Sequence, residues 1–508
     1  METTGVELAV LSGMLFKLAG SLDFCAAHHR LPGKRRVVGG TVWSKVRLPS
    51  AFRPQPSRDR RSRIGLTGMF ALGLLLLLAY SHSAEAIPSF SRQTGFACAM
   101  CHTQAFGPNL TPLGRAFKRE GYTRGNGGDG PLTKGIPPLS GMLMGSFTHT
   151  QRGQAPQPTT GPSAPTFNSN DNFALDQASL FYGGRLYGPA GAFAQFTYDG
   201  VANTVHVDNI DLRVAHKAEL WGHPLDYGVT LNNNPTVQDL WNTTPAWSFP
   251  FASSPLAPTP SAGQLIANLG QQVGGGSLYA MVDDHLYLEA GAYGDFSVDA
   301  QKGMGVWAPD NPSLTGGAPY WRLVLQHEWE DQYAALGTYG LRAQIYPDRL
   351  HRAFGTDSTT DLGVDLTYQY LGNMRHIFEL RGAYARESRT LAASRAVGAA
   401  TRGEVMLDTL NLNASYTFAQ TYTGSFGFFH TTGNRDPVLY AGFAGLRPDS
   451  QYFISEFAYV PFGKTASFGL PWLNLRFAVQ YVAYTHFNGA RRHAEDNNTL
   501  FVSGWLAF

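Results

Sequence analysis

From residue 139 to the C-terminus the chain alternates, segment after segment, between apolar and polar positions. Leu362, Val364, Leu366, Tyr368 and Tyr370 alternate with Gly363, Asp365, Thr367 and Gln369. Leu410, Leu412, Ala414, Tyr416 and Phe418 alternate with Asn411, Asn413, Ser415 and Thr417. The same period of two runs through residues 210–214 and 473–481. Such a period marks a β-strand with one apolar face. Tyr and Phe near the ends of several apolar faces suit the aromatic girdles of a transmembrane barrel. Strands of about ten residues joined by polar turns predict about 16 strands, an even number that suits an up-and-down barrel. A sandwich or propeller is the competing architecture, but its strands are shorter and differently patterned.

Two stretches break the pattern. Residues 233–276, with Asn233-Asn234-Pro235 and Pro245-Ala246-Trp247, form an insert too long for an ordinary turn. A connection of this length usually has work to do. A loop folded into the lumen, narrowing the pore or packing on the front of the chain, and an extracellular excursion are both expected outcomes. A short helix is expected between Ser261 and Gln272. The second stretch is the front end, residues 1–138, which has no period of two.

Composition narrows the class. Charged residues make up 15%, aromatics 13%, and there are 57 glycines. Ordinary soluble domains carry about 25% charged residues. Mean hydropathy is only −0.17, which excludes a bundle of transmembrane helices but suits a barrel whose two faces cancel. The net charge of +2 conceals an asymmetry, because residues 1–64 hold 12 basic and 4 acidic side chains. The remainder is mildly acidic, and nucleic acid is not an expected partner.

The front end reads in pieces. Arg58-Asp59-Arg60-Arg61-Ser62-Arg63 precedes an apolar run from Ile64 to Tyr80, followed by Ala84-Glu85-Ala86. A basic region, an apolar region and an Ala-x-Ala site predict a secretory signal peptide cleaved after Ala86. An uncleaved anchor is the competing reading. Residues 1–86 are thus expected to be an N-terminal extension and signal. The remaining division is 87–124 as a small helical unit, 125–138 as a Gly/Pro linker, and 139–508 as the barrel.

Cys98-Ala99-Met100-Cys101-His102 fits C-x-x-C-H, the attachment signature of a c-type haem. Two thiols at this spacing add to the two vinyl groups of one haem, and the following imidazole becomes an axial ligand to the iron. A thioredoxin-like pair would need a βαβ context, and a zinc site would need further ligands nearby. Only one other cysteine, Cys25, occurs, and it lies before the expected cleavage site. One covalent haem c is therefore expected. Candidates for the distal ligand are Met142, Met144 and His149; each could equally face lipid or lumen on a first strand. Some 40 residues cannot build a core alone, so the haem and a larger body must complete it.

Two resemblances follow. The last strand places Leu500, Val502, Leu506 and Phe508 on one face and stops at an aromatic, which resembles the C-terminal signal of bacterial outer-membrane barrels. Phe90-Ser91-Arg92-Gln93-Thr94-Gly95, the C-x-x-C-H, Pro112-Leu113-Gly114-Arg115-Ala116-Phe117-Lys118 and Gly121-Tyr122 resemble the start of the fused monohaem cytochrome–porins of iron-oxidising bacteria. That resemblance is specific over residues 87–122 and architectural beyond. It implies an outer-membrane barrel in which extracellular Fe(II) gives an electron to the haem, which passes it to a periplasmic c-type cytochrome or cupredoxin. The activity would be that of an Fe(II):cytochrome c oxidoreductase. Thr103-Gln104-Ala105-Phe106-Gly107-Pro108 departs from the family, whose members carry a longer aromatic and His-containing stretch there.

Two other functions compete. A transport porin with a haem plug or sensor would demand an open lumen, and a haem protein acting on a small molecule would need an open sixth position. Acidic or His-bearing turns at Asp283-Asp284-His285 and His327-Glu328 are candidates for collecting a metal ion, with ordinary solvated turns as the competing reading.

Overall fold

In the computed structural model, which describes residues 87–125, 137–154 and 165–508 apart from 310, 312, 350 and 351, the alternating segments are antiparallel strands. The expected signal segment and most of the linker lie outside the described residues. The strands are β1 Leu139–Thr150, β2 Asn172–Tyr187, β3 Ala190–Asp199, β4 Thr204–Leu220 and β5 His223–Asn232. They continue as β6 Val273–Val282, β7 Leu286–Asp295, β8 Ala318–Trp329, β9 Gln332–Tyr346, β10 Asp357–Tyr370 and β11 His376–Thr390. The last five are β12 Glu404–Phe418, β13 Tyr422–Gly433, β14 Ser450–Tyr459, β15 Asn474–His486 and β16 Thr499–Ala507. Each pairs with its neighbours in sequence, and β1 closes the ring on β16 from Met142↔Ala507 to Thr150↔Thr499. A two-residue rung at Ser313–Leu314 is the only other strand among the described residues, and it does not interrupt the ring.

The alternation predicted from the sequence is realised with its apolar face outward, as a transmembrane barrel requires. On β10 Leu362, Val364 and Leu366 are exposed, while Asp361, Asp365, Thr367 and Gln369 are buried. The outer surface is apolar on strand after strand, which only a lipid surround makes stable. No described helix is long and apolar enough to cross a membrane, so the strands are what cross it. Tyr187, Trp221, Trp329, Tyr370 and Tyr422 stand exposed at one rim, where amphipathic rings suit the water–lipid boundary.

The two rims differ. Tight turns at 188–189, 221–222, 283–285 and 330–331 lie at the same rim as the two ends of the barrel segment, where Gly141 and Phe508 exchange backbone hydrogen bonds of 2.6 and 2.9 Å. Long connections at 233–272, 296–317, 391–403 and 434–449 lie at the other.

Residues 87–125 occupy the lumen at the short-turn rim. They form α1 Pro88–Thr94, α2 Cys98–Cys101 and α3 Pro112–Arg119. Pro88 and Pro112 start their helices where a missing N–H costs nothing. Thr111 caps α3 by accepting from Gly114 N at 3.2 Å. The unit's own core is small, built on Phe90, Phe117 and Tyr122 with ring centroids 5.0 to 6.0 Å apart. The barrel wall supplies the rest. Tyr122 donates to Asp211 at 2.6 Å, Arg115 to Gln369 at 2.8 Å, and Gln420 to the Ala99 carbonyl at 2.8 Å. Approach to the wall is close enough that a Cβ at Gly191 would overlap the Gly121 carbonyl.

The 233–272 connection enters from the long-loop rim and packs inward. Arg213 donates to the Gln238 carbonyl at 2.6 Å, Arg381 to the Trp241 carbonyl at 2.6 Å, and Thr243 to Asp365 at 2.5 Å. Its one-turn helix α4, Leu265–Asn268, presents the Leu265 and Ile266 N–H groups to Glu387 and Asp361 at 2.6 and 2.7 Å. The strand pattern resumes at Val273, so Gly274, Gly275 and Gly276 belong to β6 and not to the insert. Lys118 of α3 reaches the Val237 and Asp239 carbonyls of the insert at 2.8 and 2.6 Å. The two fillings therefore meet inside the barrel.

A barrel of this size leaves an aqueous channel when nothing fills it. Excising residues 236–270 alone should change single-channel conductance in planar bilayers little, because 87–125 still block the short-turn mouth. Removing both segments should raise it to that of an open, water-filled channel. A large conductance in the intact protein would contradict a filled lumen.

Candidate functional site

The motif Cys98–His102 begins as a single helical turn. Both thiols leave the same face because they are three residues apart. His102 then leaves the helix into extended backbone (φ −121°, ψ 132°), its N–H held by the Cys98 carbonyl at 2.8 Å. The chain loops back so that Thr103 N donates to the Asn109 carbonyl at 3.1 Å and Thr111 N to the Cys101 carbonyl at 2.9 Å. Gly114 is required where α3 crosses α2, since a Cβ there would overlap the Cys101 carbonyl oxygen. The cysteines are not linked in a disulfide. Asn474 of β15 donates to the Cys98 sulfur at 3.2 Å and to the Ala105 carbonyl at 2.8 Å, pinning the motif to the wall.

Cys98, Cys101 and His102 open on one cavity of about 340 Å³ between the helical unit and the wall. Much of its lining is aromatic and apolar: Phe90, Phe106, Phe181, Phe193, Trp247 and Trp505. Gln177, Gln195, Asp208 and Asn209 line a polar part. His102 is half-buried where it borders the cavity and crowded by protein elsewhere. Desolvation pushes its pKa down to about 4, against the pull of the Gly107 and Asn109 carbonyls. The imidazole is thus neutral near pH 7, with Nδ1 buried beside those two carbonyls. Lys118, also on the cavity, is brought down to about 7 by burial and by Arg213.

The three distal candidates separate by face. Met142 points into the lumen, is buried, and lines the cavity with His102. Met144 also points inward but is not on the cavity wall; Gln177 Nε2 approaches its sulfur at 3.6 Å. His149 falls on the outward face, half-exposed and paired with Asp171 at 2.7 Å. The structure therefore brings together Cys98, Cys101, His102 and Met142, and leaves Met144 and His149 apart. The Asp283-Asp284-His285 turn is engaged in structure: Asp284 pairs with Arg119 at 2.6 Å and Asp283 with His223 at 2.7 Å. Among the described residues no three His, Cys, Asp or Glu side chains cluster to hold a metal ion.

The period of two does not reveal the buried ion pairs inside the lumen. Arg213–Asp211 at 2.8 Å, Arg322–Asp365 at 2.8 Å, Arg381–Glu379 at 2.9 Å and Arg476–Glu456 at 2.6 Å all lie on inward faces. Their inward placement follows from the period of two. Their partners on the same or other strands, and on the insert, do not.

The chain matches no protein-family model and no curated protein sequence. Among solved structures it is similar to OmpF of Salmonella typhi in complex with daunomycin, at 14% identity and a TM-score of 0.42, covering 73% of this chain and 97% of that one. It is also similar to OprB of Pseudomonas putida, at 12% identity and a TM-score of 0.40, covering 73% and 94%. An anion-selective porin from Comamonas acidovorans gives 9% identity and a TM-score of 0.39, covering 73% and 98%.

Gly114→Ala tests how tightly the motif is held. Forcing a methyl group against the Cys101 carbonyl should cost roughly 1–3 kcal/mol. Limited proteolysis should then release the segment before residue 125 faster than in the wild type, while the barrel keeps its heat-modifiable mobility on gels. Equal protection would mean that α2 and α3 are not packed as described.

Proposed function

We propose that this chain is an outer-membrane c-type cytochrome fused to a porin-like barrel, passing electrons from an extracellular donor to a periplasmic acceptor. The observation that carries the reading is the opening of Cys98, Cys101 and His102 on one largely apolar cavity inside a filled lumen. The residues fit a haem. Two thiols on one helical face can form the thioethers, and a neutral imidazole with one ring N–H turned to the Gly107 and Asn109 carbonyls keeps its other nitrogen for a metal. Aromatic walls suit a flat macrocycle. Met142 is the favoured distal ligand, because it alone of the three candidates shares the cavity. Bound there, the haem supplies a one-electron centre.

The rest is the work of the chain. In outer-membrane barrels the short turns face the periplasm and the long loops face outside. That orientation puts residues 87–125 at the periplasmic mouth and the insert towards the exterior. The exposed Met100, with Pro112 and Leu113 beside it, then offers the motif's rim to a periplasmic c-type cytochrome or cupredoxin. Fe(II) is the favoured donor because it requires no organic pocket and because residues 87–122 resemble cytochrome–porins of iron oxidisers. The buried inward faces weigh against a transport porin with a haem plug or sensor. Met142 on the cavity weighs against a haem enzyme with an open sixth position.

Replacing Cys98 and Cys101 by alanine should abolish haem staining on denaturing gels and leave a heat-modifiable barrel; retained covalent haem would sink the motif reading. Met142→Ala should remove the long-wavelength sulfur-to-iron band of the ferric protein, whereas Met144→Ala and His149→Ala should keep it.

Direction of access is tested on whole cells. Fe(II) held on an impermeant polymer should reduce the haem of intact cells, and His102→Ala should lose this. Reduction seen only after the outer membrane is broken would favour the plug-or-sensor porin.

A further inference from the structure

Glu379 of β11 is 1% exposed and faces the lumen near the short-turn rim. Its Oε2 accepts from Thr103 Oγ1 at 2.8 Å and from Asn109 Nδ2 at 3.0 Å. Its Oε1 accepts from Gln369 Nε2 at 2.8 Å and from Arg381 Nη2 at 2.9 Å. Thr103 directly follows His102, and Thr103 and Asn109 are the two residues whose backbones close the loop beneath it. One carboxylate thus grips both ends of the loop that presents His102, across more than 260 positions of sequence. With Ser415 Oγ donating to Oε2 at 3.5 Å, five donors converge on its two oxygens. An amide at this position would offer one acceptor oxygen and turn donors against donors.

The surroundings are charged as well as bonded. Arg381 continues the network to the Trp241 carbonyl of the insert at 2.6 Å. Arg115 donates to the Leu110 carbonyl and to Gln369, each at 2.8 Å. The loop therefore lies beside one buried carboxylate and two buried guanidiniums. One-electron reduction lowers the charge of a bound centre by one, so a nearby negative charge favours the oxidised form and a nearby positive charge the reduced form.

We infer that Glu379 is a positioning residue for His102, and that the Glu379–Arg381 pair sets the reduction potential of the haem held by the motif. The inference rests on haem attachment as proposed above, but on no particular donor. Glu379→Gln leaves Arg381 and Arg115 uncompensated and should shift the equilibrium roughly three- to tenfold towards the reduced form. Arg381→Gln leaves the carboxylate less compensated and should shift it by a similar factor the other way. A merely structural network would not give shifts of opposite sign.

The test is a spectroelectrochemical titration of the full-length, detergent-solubilised protein and both variants, each checked for covalent haem and heat-modifiable mobility. Opposite shifts support the inference; shifts of the same sign, or none in either variant, overturn it. Should Glu379→Gln fail to assemble, Arg381→Gln carries the test alone, and an unchanged or raised potential overturns the inference. A wild-type protein without covalent haem would overturn the haem reading itself, a result distinct from unshifted potentials in haem-bearing variants.

Discussion

Within lipid there is no water to hydrogen-bond the backbone, and the pairing of β1 with β16 answers that constraint for the whole chain. An open sheet of this length would leave two unpaired edges in hydrocarbon. Once the ring closes, the alternation of side chains forces polar and charged residues into an interior that is shielded from solvent wherever something fills it. Everything distinctive about this molecule follows from how that interior is filled.

Two segments fill it, and neither could do so alone. Residues 87–125 are too few to bury a core of their own, and they lean on the wall for hydrogen bonds to Asp211, Gln369, Glu379 and Asn474. The insert gives its carbonyls to Lys118, Arg213 and Arg381 and its N–H groups to Asp361 and Glu387. Wall charges that would be costly if dry and unpaired are thereby matched by the helical unit and the insert together. Cutting either segment out would leave wall charges without their partners, although the closed backbone ladder of the barrel does not depend on them.

The same filling shapes the site. A cavity bordered by Phe181, Phe193 and Trp505 of the wall, Phe90 and Phe106 of the helical unit and Trp247 of the insert exists only because three parts of the chain converge on it. Solvent is kept from most of the motif, which strengthens nearby electrostatic interactions. Glu379, Arg381 and Arg115 then matter to any redox centre held there in a way that exposed charges would not.

The sequence by itself determined a good deal. Period two placed Leu362, Val364 and Leu366 on one face and Asp365, Thr367 and Gln369 on the other, and the strand count followed from length. C-x-x-C-H named Cys98, Cys101 and His102 by spacing alone. Strand parity even contained the separation of His149 from Met142 and Met144, since an odd offset puts a residue on the opposite face. What only the tertiary structure decided was what met across the lumen. Met142 and Met144 share a face and differ only in which stands opposite His102. The pairing of Glu379 with Thr103, and the inward turn of the insert, depend on contacts between residues far apart in the chain. Local pattern fixes the direction of a side chain from its own backbone, whereas a partner in a closed barrel is chosen by the curvature and stagger of the whole ring.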